Sequence, residues 1–200
     1  MDDANQFCPL TRFSHALFAN AALDPVLSQL QNQGEFNLNI IFYLLWAAKT
    51  CHGRMTKRQL RDLQLQIAVW HQRVILELKY TYAMLTNHAD PAACEIKHAI
   101  QEEILRANDI EQRLLFESRI NMHLLRRTPR QQLSDACASI VNYSSVEQSH
   151  WMSGHRSIFT VLFSCVFEEV AQDEVEREIS SIWDRTLSAQ PSVTQRVLWE

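Results

Sequence analysis

Thr56-Lys57-Arg58-Gln59-Leu60-Arg61-Asp62-Leu63-Gln64-Leu65-Gln66-Ile67-Ala68-Val69-Trp70-His71-Gln72-Arg73-Val74-Ile75-Leu76-Glu77-Leu78-Lys79-Tyr80-Thr81-Tyr82-Ala83-Met84-Leu85 decides the fold class of this 200-residue chain. Leu60, Leu63, Ile67, Trp70, Val74, Leu78, Tyr82 and Leu85 recur every three or four residues, which places them on one side of a helix. Thr56 is suited to cap its start. Leu65, Val69 and Leu76 fall off that stripe, so the helix is expected to touch neighbours on more than one side.

Working outward, Leu38-Asn39-Ile40-Ile41-Phe42-Tyr43-Leu44-Leu45-Trp46 is apolar on nearly every side and predicts a central helix capped by Asn37. Gly53 is expected to close it, and Gly34 to end a preceding helix that starts at Asp24-Pro25. Before that, a helical pattern begins at Phe13. Asp90-Pro91 opens another helix with Ile96, Ile100, Ile104, Ala107, Ile110 and Leu114 on one face. Glu102 with Arg106 and Asp109 with Arg113 are spaced to pair on its wet side. Arg119, Arg126 and Arg127 before Thr128-Pro129 read as cations at a helix C-terminus.

Further helices are predicted over 130–143, 150–170 and 172–187, with a loop around Asn142 to Ser149. Ile158-Phe159-Thr160-Val161-Leu162-Phe163 has strand-like composition, but no second strand exists to pair with it, so it too reads as helix. The expected fold is all-α: a single-domain multi-helix bundle with a C-terminal helical extension. Residues 1–10 read as a tail, 11–127 as the helical core, and 128–200 as a helical segment packed on that core.

Composition supports this. Only 3 glycines and 5 prolines occur in 200 residues, leaving little from which to build tight turns or phosphate-cradling loops. The five cysteines are odd in number and never form Cys-x-x-Cys, which argues against a disulfide framework or thiolate metal site and for a reducing compartment. No apolar run reaches the roughly 20 residues of a membrane span. The start of the chain lacks the features of a secretion signal, so a cytoplasmic location is expected. Net charge is −4, and residues 131–200 hold 4 basic against 10 acidic residues.

Phe13-Ser14, Leu17-Phe18, Leu30-Gln31, Gly34, Asn37-Leu38-Asn39, Phe42, Leu45-Trp46, Gly53-Arg54, Leu60, Trp70, Val74 and Leu78-Lys79 form an ordered series. Over residues 13–120 the chain resembles a conserved hypothetical proteobacterial family with a domain of unknown function. The resemblance implies a bacterial, cytosolic helical protein and brings no activity with it. The family pattern has Pro-Leu-Arg soon after the second tryptophan, where this chain has Leu76-Glu77-Leu78.

Two Glu-x-x-His triplets, Glu95 to His98 and Glu147 to His150, carry the spacing used in helical di-iron sites. A chain with 23 acidic residues and 8 histidines produces such triplets by chance, and no metal or other cofactor is assigned. Trp46 and Trp70 read as core, with Asn39 or a backbone carbonyl to receive an indole N–H, whereas Trp183 and Trp199 are candidates for a contact surface. No nucleophile elbow or phosphate loop occurs, no strong nucleic-acid signature appears, and no catalytic residue is assigned. The basic cluster Arg54, Lys57, Arg58 and Arg61, with His52 beside it, is the candidate partner-binding site. Its plainer explanation is solubility, with the acidic segment Glu168 to Glu178 as a partner within the chain. The expected work is interaction with another protein or self-association, in an accessory or regulatory role. The alternative is a small-ligand protein or metal-dependent enzyme with a site between the segments of Trp46, Trp70 and Ile100.

Overall fold

A computed structural model describes residues 7–33, 36–86, 88, 90–118, 123–147 and 153–188, the side chains of 32–33, 153–154 and 183–188 excepted. Among the described residues the chain is helical and contains no strand. The helices are α1 (Pro9–Phe18), α2 (Asp24–Gln33), α3 (Leu38–Lys49), α4 (Lys57–Trp70), a π-helical turn (His71–Ile75), α5 (Leu76–Leu85), α6 (Pro91–Glu117), α7 (Pro129–Glu147), α8 (Ser153–Val166) and α9 (Gln172–Ser188). No described helix is long and apolar enough to cross a membrane.

The centre is α3, whose residues from Asn39 to Ala48 are all buried. Because its apolar side chains point in every direction, it is stable only when surrounded, and α1, α6 and α7 enclose it. Leu133, Ile140 and Tyr143 from α7, and Phe159 and Phe163 from α8, join it in one hydrophobic cluster. The run from Ile158 to Phe163 is therefore helix, as its lack of a strand partner implies.

Local chemistry sets most helix starts. Asn37 accepts a hydrogen bond from the Asn39 N–H at 2.9 Å. Thr56 and Gln59 cap each other's backbone donors in a capping box. Asp90 accepts from the Ala92 N–H with Pro91 in the first turn, and Thr128 and Gln131 repeat the reciprocal arrangement before α7. Gly53 has φ +78°, a conformation that favours glycine, and a Cβ there would come within 2.7 Å of Leu125 Cδ1, the end of an exposed side chain that would have to shift.

Several expectations move. Helix α1 begins earlier, at Pro9, with Leu10 fully buried. Helix α7 continues to Glu147, past the loop expected from Asn142, because Tyr143 and Ser144 are buried against the body. Helix α6 stops at Glu117, so Arg126 and Arg127 lie beyond it instead of complementing its dipole. Arg127 pairs with Asp135 at 2.8 Å. The expected pairs along α6 exchange partners: Arg106 reaches Glu103, and Asp109 reaches His15 on α1. Gly34, Arg119 and Trp199 lie outside the described residues, as does the side chain of Trp183.

Candidate functional site

Two features converge on the long rod formed by α4, the π turn and α5: a buried polar clasp on its inner side and an exposed apolar seam on its outer side. The clasp centres on Glu111 of α6, which is 0% exposed. Asn37 Nδ2 and Asn39 Nδ2 donate to Glu111 Oε1 at 2.8 and 2.9 Å, and His71 Nδ1 lies 2.9 Å from Oε2. A carboxylate only accepts, so the proton between His71 and Glu111 belongs to Nδ1. The Asn37 amide, 3.0 Å from the same nitrogen, is itself a donor and directs its proton to Oε1.

The clasp holds α3 by its N-terminus, where a negative charge is stabilised by the exposed N–H groups of the first turn. Around it, Asn39 Nδ2 also donates to Asn108 Oδ1 at 2.8 Å, and Gln112 Nε2 donates to Asn39 Oδ1 and to Ser14 Oγ. The Asn37 backbone N–H donates to Tyr143 Oη at 2.9 Å. Burial raises the Tyr143 pKa, with the charges of Glu147 and Glu111 adding to it. Glu147 is also raised, by desolvation, with His71 pulling it down. Side chains from the start of α3 and from the π turn are thus tied directly to one buried charge on α6.

The π turn makes this possible. It inserts one residue into the rod, so that His71 meets Glu111 while Ile75, 0% exposed, still points inward. Trp70 Nε1 donates to the Ala107 carbonyl at 3.0 Å, anchoring the rod to α6 just before the wide turn. Trp46 is buried as expected, stacked on His52. Asn39 is taken up by the clasp, so it is the backbone carbonyl that serves the indole of Trp70.

The seam lies opposite. Leu65 and Val69 are each 74% exposed, Tyr80 64%, Met84 60% and Leu76 45%. Their intervals of four, seven, four and four residues keep them on one face of the rod, with the π turn absorbing the extra residue. Among the described residues the neighbours expected to cover Leu65, Val69 and Leu76 are not there: α4 packs on α6 and α7 with its other side. Helix α5 has no buried residue and packs mainly on α6 and the π turn. Together α5 and the first half of α6 form a two-helix arm projecting from the body.

Arg54, Lys57, Arg58 and Arg61 gather at the start of α4, all exposed. Lys57 Nζ donates to Ser145 Oγ at 2.6 Å. Among the described residues the other three form no ion pair. Among the described residues no ion pair joins them to the acidic segment, in which Glu169 pairs with Lys49, Glu174 with Arg130 and Asp173 with Arg177.

The described members of the triplets, Glu95, His98 and Glu147, do not form a ligand cluster. Glu95 and His98 are exposed, and His98 lies 3.7 Å from Glu102. Glu147 is exposed at the end of α7, and His150 lies outside the described residues. Among the described residues no three His, Cys, Asp or Glu side chains converge as metal ligands. An open cleft of about 920 Å³ runs between α8 and α9, lined by Arg156, Thr160, Asp173, Arg177 and Ser180 and by no residue from the segments of Trp46, Trp70 and Ile100.

A family described as a protein of unknown function, DUF2390, matches residues 9–115. The chain belongs to this family. The matched residues run from the start of α1 almost to the end of α6, so the DUF2390 region contains Ser14, Asn37, Asn39, His71, Glu111 and Gln112 of the clasp, and the whole seam. No curated protein and no solved structure matches the chain.

Sequence reasoning identified the basic cluster and the tryptophans but missed the clasp and the seam. Glu111 is separated from Asn37 by 74 positions and from His71 by 40. The available signal for the seam was the second apolar row, Leu65, Val69 and Leu76, read as contact within the chain.

Proposed function

We propose that this protein is a helical interaction module that docks an amphipathic helix of a protein partner on the outer face of the rod. The observation that carries this reading is the exposure of five large apolar side chains in one row, from Leu65 to Met84. Scattered apolar residues on a surface need no explanation, but a contiguous row at helical spacing matches the way a helix presents anchors to a partner. The clasp gives the row a rigid base by fixing the middle of the rod to α3 and α6. Arg54, Arg58 and Arg61 supply a cationic end to the same surface, suited to an acidic segment at one end of the incoming helix. This is an accessory role that uses binding and requires no chemistry at the site.

A photo-crosslinking amino acid at Val69, and separately at Met84, tests it in the native host, with Glu176 on α9 as control. The expected result is one discrete adduct from both seam positions, with the same crosslinked peptide identified by mass spectrometry, and none from Glu176. No adduct from either seam position overturns the reading.

A further inference from the structure

The two ends of the seam are symmetric under reversal. Leu65 and Val69 stand at one end, Tyr80 and Met84 at the other, each pair four apart. Between them, exposed and on the same face, stand Arg73 and Glu77. Neither has an ion-pair partner among the described residues. Reversing the rod about the Val74–Ile75 peptide carries Leu65 onto Met84 and Val69 onto Tyr80, and sets Arg73 one residue from Glu77.

Resting on the reading above, we infer that the helix docked on the seam is the same rod of a second copy, running antiparallel across a two-fold axis. A two-fold interface uses one patch on both subunits, so the patch must be complementary to its own reversed image. This one is so at its two apolar ends and in the opposite charges of Arg73 and Glu77, with Leu76 just off the centre. Apolar anchors meet at both ends, and two Arg73–Glu77 pairs form at the centre, one on each side of the axis. Antiparallel helices set like flanks against each other, which is the arrangement that joins residues 73 and 77 of opposite copies.

The dimensions fit. From Leu65 to Met84 the rod runs about 30 Å at 1.5 Å per residue. Five apolar side chains left roughly half or more in water offer on the order of 500 Å² per copy, and two copies reach the roughly 1,000 Å² expected of a specific contact. Pairing two arms also turns each two-helix hairpin, which buries little by itself, into half of a four-helix assembly. In this register Arg58 and Arg61 come beside the arm tip of the other copy, where Asp90 caps α6. The cationic end thereby faces a carboxylate.

Sedimentation of the purified full chain over a concentration series tests the inference with Arg73→Glu and Glu77→Arg. The wild type is expected to dimerise, and each single variant to weaken dimerisation at least tenfold by setting like charges together twice. An equimolar mixture of the two variants is expected to dimerise as the wild type does, because the Arg73→Glu copy meets the Glu77→Arg copy with opposite charges at both central positions. Circular dichroism checks that each variant keeps its helicity.

A wild type that stays monomeric at every concentration overturns the inference, as does a mixture that dimerises no better than its components. Should the chain be monomeric while Val69 crosslinks to a different protein in cells, the interaction reading survives and the second copy is ruled out. The absence of any adduct removes both.

Discussion

Helices α3 and α5 are of similar length and both rich in large apolar residues, yet α3 is buried on all sides from Asn39 to Ala48 while α5 buries no residue. Their contrast separates two uses of hydrophobic surface in one chain. In the body, apolar side chains interdigitate at crystal-like density and hold the fold. Along the outer face of the rod, similar side chains remain in water in the single chain, and their burial is left to association. Periodicity alone therefore does not distinguish a residue that stabilises the fold from one that recruits a partner.

The largest effect expected to sharpen this contrast comes from truncation in α3. Leu44→Ala should lose about 4 kcal/mol of unfolding free energy, the range for a buried leucine whose cavity cannot collapse. Met84→Gln on the arm should change the stability of the monomer by less than about 0.5 kcal/mol. Chemical denaturation at a concentration low enough to keep the chain monomeric measures both, and equal losses would erase the distinction between body and arm.

Next in size is the clasp. Glu111→Ala removes the acceptor for Asn37, Asn39 and His71 and should destabilise by about 3 kcal/mol, since buried donors left unsatisfied lose their desolvation energy in full. Hydrogen exchange should show the loss concentrated at the start of α3 and across the π turn. A uniform change over the whole body would indicate that Glu111 contributes only to general packing.

The smallest effect belongs to Glu147, at the junction of the clasp and the surface. Desolvation holds its pKa above the ordinary carboxylate value, so the folded state disfavours the charged form. The associated penalty is absent below the unfolded pKa and is fully present above the folded one. Glu147→Gln should therefore stabilise the protein at neutral pH by a few tenths of a kcal/mol, reduced by solvent screening at this exposed position, and match the wild type in acid. Thermal unfolding at pH 7 and pH 3.5 measures the difference, and a gain that persists at the lower pH would exclude charge as its source.

Much of the architecture was legible along the chain. Asn37, Thr56 and Asp90 each cap the helix that their side-chain chemistry favours, because capping is settled within four residues. The uniformly apolar run from Ile40 to Ala48 had to be central, since no single partner can cover every side of a helix. The basic cluster was also legible, as was its exposure, because cations leave water at high free energy unless paired.

Other features required the folded chain. His71 reads as one more residue in a long amphipathic helix until the π turn aims it at Glu111, and Glu111 reads as a solvated charge until Asn37 and Asn39 surround it. Leu65, Val69 and Leu76 announce a second apolar face, but whether that face meets the body or the solvent depends on where α6 and α7 pack. Sequence alone determined the all-helical class, the helix caps and the central place of α3, since hydrophobic period and capping act over a few residues. Tertiary structure decided which charge is buried and which apolar face stays open, because those outcomes depend on contacts between segments far apart in the chain.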